Sequence, residues 1–254
     1  MKNRSKFVIA TLSTILLLGS VNVAAQAVSS PSFESSLLNT VAAKVLTAAE
    51  KKKLIRAEHE KLGKLTNNNP GAVYLLYVSD KALNGGSEFQ YYVNFPTFKK
   101  YEDYEKWVSK LNGPIVVEPE GMPEGYAFIK GEIQNHLDNK PFQAQVKAEG
   151  KGKVVYSKKF EWTEAGKIKL EYTNGSDNII FQMHTNYYPV KDSTTYKYKS
   201  VDSYSEEDKK KYAKTLRNQL YWTEKGISYE ISTNPGNPLT KEELIALANT
   251  MIKK

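Results

Sequence analysis

The chain has 254 residues, is 40% hydrophobic and 25% charged, and carries a formal net charge of +8. That length and balance exclude a wholly disordered polymer and leave room for one or two folded domains. There is no cysteine, which excludes a disulfide framework, a thiolate metal site and a cysteine nucleophile, so stability has to come from a packed core.

Residues 1–27 read as a secretory signal. Lys2, Arg4 and Lys6 charge its start, Phe7 to Leu18 is apolar but short for a bilayer span, and Ala25-Gln26-Ala27 fits the small-x-small cleavage rule. Cleavage there removes three positive charges and leaves +5. That excess suits anionic wall polymers, lipid headgroups or simple solubility. No later run is apolar enough to cross a membrane, so no integral segment is expected after cleavage.

Residues 28–66 read as a helical N-terminal segment. Leu37, Leu38, Val41, Ala42, Val45, Leu46 and Ala49 make one stripe, and Thr47 with Glu50 predicts a capping box for a charged helix running to Leu65. Its basic amphipathic character fits a membrane surface, a partner helix, or packing on the domain with the lysines in water.

From residue 67 to 254 the pattern is that of an α+β domain. Val73 to Val78 and Glu88 to Phe95 predict a hairpin around Asn84-Gly85-Gly86. Pro96-Thr97 is expected to open a helix with Tyr101, Tyr104, Trp107, Val108 and Leu111 on one face. A short extended piece, Ile115 to Val117, leads into a Pro/Gly loop ending at Tyr126. Phe142 to Ala148, Val154 to Trp162, Lys167 to Tyr172, Asn178 to Asn186 and, more weakly, Thr194 to Ser200 are predicted strands. Glu206 to Arg217 fits either helix or loop. Leu220 and Trp222, across a turn from Ile227, Tyr229 and Ile231, predict a hairpin, and Thr240 with Glu243 predicts a second capping box opening a terminal helix. The fold class expected is a curved antiparallel sheet with helices on one face.

The run Gly121 to Tyr126 (Gly-Met-Pro-Glu-Gly-Tyr), the Trp222 hairpin and the helix after Leu239 carry a resemblance. From Thr97 to Ile252 the chain resembles an uncharacterised exported domain family of spore-forming and related bacteria, the domain of unknown function 4367 type. The resemblance implies a domain exported or tethered outside the membrane, sometimes behind an anti-sigma-type module. The sequence shows no region of that type and no second membrane segment. The expected sheet is also similar to the half-barrels of lipoprotein carriers, which hold lipid in a concave face.

Catalytic patterns are thin. The histidines are His59, His136 and His184. His59-Glu60 begins like a zinc-peptidase helix, but Gly63 stands where the second histidine belongs. Glu118, Glu120 and Glu124 share one Pro/Gly loop with nothing to separate their acidities. No phosphate-cradling motif and no Gly-x-Ser-x-Gly elbow occurs. No cofactor, metal site or catalytic residue is therefore expected.

Tyr187, Tyr188, Lys191, Tyr196, Lys197 and Tyr198 are the candidate binding residues, an aromatic and basic platform, with cross-strand packing as the other reading of the same tyrosines. Trp107, Trp162 and Trp222 are expected in the core, and Asn174-Gly175-Ser176 as a turn. The function expected is a non-enzymatic, secreted or envelope-associated binding or sensing domain. Its partner would be an anionic envelope polymer, a membrane surface or an envelope protein, and not nucleic acid. A lipid or lipoprotein carrier is the alternative, and an envelope hydrolase the third reading.

Overall fold

The computed structural model describes residues 45–137, 139–185 and 191–253. The signal sequence, the apolar stripe before Val45, and Tyr187 and Tyr188 lie outside the described residues.

Helix α1 (Ala48–Asn68) starts at the predicted capping box: the Thr47 hydroxyl accepts from the Glu50 amide, and the Glu50 carboxylate accepts from the Thr47 amide at 2.8 Å. Strand β1 (Val73–Val78) pairs antiparallel with β2 (Phe89–Val93) on one side and β6 (Val155–Phe160) on the other. This small sheet has a helix on each face. Ile55 and Leu62 of α1 pack on Leu76 and Val78. Val146 of α3 (Lys140–Glu149) packs on Leu75 and Tyr77.

Alternation explains both layers, because successive β1 side chains point to opposite faces. It also explains the near-total burial of the strand. Leu46 to Lys254 forms one compact unit, so α1 turns its lysines to water and its apolar side to the domain.

The larger sheet has seven antiparallel strands in the order β3 (Thr97–Phe98), β5 (Ala127–Gln134), β7 (Lys167–Thr173), β8 (Asn178–Thr185), β11 (Ile227–Thr233), β10 (Asn218–Glu224), β9 (Ser193–Lys199). Its register aligns one apolar row across the strands: Leu170 opposite Phe181, Phe181 opposite Ile231, Ile231 opposite Leu220. All four side chains are fully buried.

Helices α2 (Tyr101–Val108) and α5 (Lys241–Thr250) cover this face, with the two-residue strands β4 (Ile115–Val116) and β12 (Ile252–Lys253). The space between sheet and helices is filled by Tyr104, Phe181, Met183, Leu244 and Met251. Gly131 makes room for Tyr104, since a Cβ there would stand 3.2 Å from its ring.

The opposite face is a polar ladder. Lys197, Tyr221, Glu230, Gln182, Lys169 and Glu132 follow one another across it. Helix α4 (Glu206–Tyr212) is short and exposed, with Ser205 as its N-cap. The fold is thus α+β, with helices on one face of the large sheet.

Three expectations need correction. Phe142 to Ala148 is helix α3, not a strand: Asn139 accepts from the Phe142 amide at 2.9 Å and Pro141 occupies the first turn, a start that the alternation of Phe142, Ala144 and Val146 concealed. Thr97-Phe98 is an edge strand and the helix opens only at Tyr101. Strand β5, unassigned from sequence, is central to the large sheet.

Replacing Phe181 by Ala is expected to cost about 3–5 kcal/mol and Thr240 by Ala about 1 kcal/mol, both read from urea unfolding. Equal costs would mean that the sheet row does not carry the core.

On the polar face, Glu132 is held below its ordinary value by a hydrogen bond from Lys130, which is raised in turn. The pair's contribution is present above the ordinary Glu range and lost as pH falls from there through the lowered value of Glu132. Both groups reach solvent, so no more than about 1 kcal/mol is at stake. Between neutral pH and roughly pH 3, Glu132→Gln should lose less stability than the parent chain, and an identical loss would refute the pairing.

Candidate binding groove

The loop between α1 and β1 sets the site. Asn69-Pro70-Gly71 breaks the helix, and Gly71 takes φ +89°, a conformation open to glycine and strained for other residues. Its amide donates to the Asn94 carbonyl at 2.7 Å. Its own carbonyl accepts the indole N–H of Trp162 at 2.8 Å. Trp162 follows β6 in the connection to β7, so this bond joins the small sheet to the segment entering the large one.

Trp107, from the last turn of α2, lies against Trp162 with ring centroids 5.0 Å apart and planes tilted by 42°. Gly71 admits this approach, because a Cβ there would stand 3.1 Å from the Trp107 ring. Two half-buried indoles therefore form one wall of a surface cleft of about 410 Å³, completed by Tyr74, Lys110, Lys159 and Glu161.

A second cleft, of about 380 Å³, shares Glu161 and Trp162 and is lined further by Asn135, His136, Asn139, Phe160, Thr163 and Glu164. Each volume falls in the roughly 300–1,000 Å³ range of small-ligand sites. The two clefts meet at Glu161 and Trp162, which line both, and we take them as two lobes of one groove. The carbonyl of Thr163 accepts from the Asn112 amide at 2.6 Å, tying this junction to the end of the α2 region.

The electrostatics are mixed. Lys159 pairs with Glu161 at 2.7 Å, and that carboxylate raises the lysine's pKa. Lys110 is exposed beside Trp107. The exposed His136 hydrogen bonds through Nε2 to Thr185 Oγ1. Asn135 is buried at the lobe wall, and neither amide atom has a hydrogen-bond partner.

The structure brings together only part of the expected platform. β9 alternates, so Tyr196 and Tyr198 turn to the covered face and Lys197 to the polar one. The Tyr196 ring meets Trp222 edge-on at 5.1 Å, and its hydroxyl donates to Asn249 Oδ1 at 2.8 Å. Burial raises its pKa, with Glu224 adding to the effect. Tyr198 stands opposite Leu220. Lys191 is exposed just before β9.

Trp222 is a core residue as expected, 6% exposed and stacked on Tyr229 at 5.3 Å. Trp107 and Trp162 are half-buried: each packs against the edge of the same core and turns its remaining surface to the cleft. No local signal gives this away, because fifty-odd residues separate the two indoles and Gly71 belongs to a third segment.

The remaining sequence candidates are scattered. His59 Nδ1 meets the Tyr92 hydroxyl. Glu118 and Glu120 contribute backbone amides, which donate to the Tyr101 hydroxyl and to Thr250 Oγ1. Asn174 Oδ1 accepts from the Ser176 and Asp177 amides, closing the expected turn. Among the described residues no cluster of three metal-ligating side chains occurs, and no helix is long and apolar enough to cross a membrane. No protein family, curated protein or solved structure with which the chain was compared matches it.

Gly71→Ala is expected to cost about 1–3 kcal/mol through backbone strain and to push Trp107 from Trp162. Unfolding curves and the tryptophan emission maximum together check this, and an unchanged emission maximum would refute the close approach.

Proposed function

We propose that this chain is a non-enzymatic binding protein of the bacterial cell envelope, and that its groove holds an extended, hydroxyl-rich polymer. The observation that carries the reading is the Trp107–Trp162 wall fixed by the Gly71 carbonyl. A half-exposed indole offers an apolar face to the C–H side of a sugar ring, and its neighbours offer hydrogen bonds to the hydroxyls. Around the two indoles stand carboxylate, ammonium, amide, imidazole and hydroxyl groups, the mixture that a polyhydroxylated chain requires. Two open clefts that share Trp162 leave room for more than one unit of such a chain.

Export is supported by residues 1–27, which read as a secretory signal.

A lipid cargo finds no support in the space between sheet and helices, which side chains fill. An apolar pocket of about 320 Å³ beside Gly113, Pro114, Ile227 and Tyr229 lies at the end of the β10–β11 hairpin instead.

Titrating the chain with soluble fragments of bacterial wall glycan should shift its tryptophan emission. Trp107→Phe with Trp162→Phe should abolish the shift and weaken binding by about 5- to 150-fold, given roughly 0.5–1.5 kcal/mol for each aromatic contact. Trp222→Phe should leave both intact. Binding that survives the double replacement would overturn the reading.

A further inference from the structure

The small sheet ends on β2, and among the described residues that edge differs from the others. The strand order is β2-β1-β6, so no described strand lies on the outer side of β2. A free edge is a row of unpaired amides and carbonyls that invites another strand, and proteins blunt it with lysine, proline, bulges or brevity. β6 carries Lys158 and Lys159, and β9, the long edge of the large sheet, carries Lys197 and Lys199. β3, β4 and β12 are two residues long. β2 reads Phe89-Gln90-Tyr91-Tyr92-Val93, with no charge, no proline and no bulge.

The register shows which backbone groups are free. The Val78 amide donates to the Glu88 carbonyl at 2.9 Å, so Glu88, Gln90 and Tyr92 turn their backbone toward β1, and Phe89, Tyr91 and Val93 turn theirs outward. Phe89 is already satisfied: the Ser87 hydroxyl accepts from its amide at 3.2 Å and donates to its carbonyl at 2.6 Å. Tyr91 and Val93 are left, each with an outward N–H and C=O that no described residue meets.

We propose that a second copy of this chain docks on this edge, β2 against β2, antiparallel about a twofold axis at Tyr92. Two free residues separated by one position satisfy each other in that arrangement. Tyr91 faces the partner's Val93, Val93 faces the partner's Tyr91, and each pair exchanges its N–H and C=O. Ser87 keeps its hold on Phe89 in both copies. The two three-stranded sheets become one, which suits a sheet too small to stand alone.

The side chains agree with the backbone. Tyr91 lies with Leu75 and Tyr77 on the α3 face and meets a valine, an aromatic against a β-branched residue, while Tyr92 on the α1 face meets its own copy. A foreign strand would have to supply this pattern; a second copy has it by symmetry. Charge favours the same edge, since nothing on β2 repels its copy, whereas β9 against β9 would bring lysines together.

The test uses residues 28–254, which hold the whole compact unit. In sedimentation equilibrium, the mass should climb toward that of a dimer as concentration rises. Hydrogen exchange followed by NMR should slow at the Tyr91 and Val93 amides over the same range, with the Gln90 amide, which faces β1, unchanged. Val93→Pro removes an outward donor from each copy and leaves the β1 ladder its bonds, and should weaken the dimer about fivefold or more. Val93→Lys, which copies the device of β9, should weaken it as well.

A single-chain mass at every concentration would overturn the proposal. So would a dimer that both variants leave intact, or one that forms without slowing the two amides. A chain that stays single, yet slows those amides when an alternating Thr-Val peptide is added, would overturn the second copy as occupant in favour of a foreign strand.

Discussion

Leu170, Phe181, Ile231 and Leu220 stand in one row across four paired strands, and the row works because each strand keeps its apolar residues on the same side. A slip of one residue in any pairing would turn a whole set of side chains from the core to water. This one-sided burial fixes the register of the large sheet. Fixed register in turn places the helices, since Tyr104 and Leu244 have a single apolar surface to cover. It also leaves the other face to lysines, glutamates and glutamines, whose exposed pairs add little stability.

The small sheet solves a different problem. With only three strands it cannot bury a core alone, and it is covered on both faces, by α1 and α3. The groove arises where the two arrangements meet. Trp162 leaves the small sheet, Trp107 ends a helix of the large one, and the Gly71 carbonyl holds the first against the second. An indole N–H satisfied by backbone keeps the ring in one orientation, so the wall is formed before any ligand arrives. In a protein without disulfides, a site of this kind depends on the packing of two separate cores.

Much of the fold was legible in the chain. Both capping boxes, at Thr47 and Thr240, are encoded within four residues, and the alternation in Lys167–Thr173 and Asn178–Thr185 is visible by inspection. Where two local signals competed, the wrong one was easier to see. Phe142, Ala144 and Val146 alternate like a strand, but the Asn139 cap and Pro141 start a helix whose buried side chain is Val146. β5 is hard to read because Gly131, Lys130 and Glu132 dilute its apolar character, and its partners complete it only in the sheet.

The candidate site was less legible. Tyr196 and Tyr198 look like a surface platform in a linear reading, yet a strand's period of two sends them to the core and Lys197 to solvent. By itself the sequence determined what depends on neighbours: an α+β class, one apolar face per strand, and the starts of α1 and α5. Only the tertiary structure decided that Gly71, Trp107 and Trp162 share a wall and that Asn135 lies beside them without a partner. Periodicity and capping act over a few residues along the chain. A groove is made by segments far apart in sequence, brought together by cores whose packing no local pattern encodes.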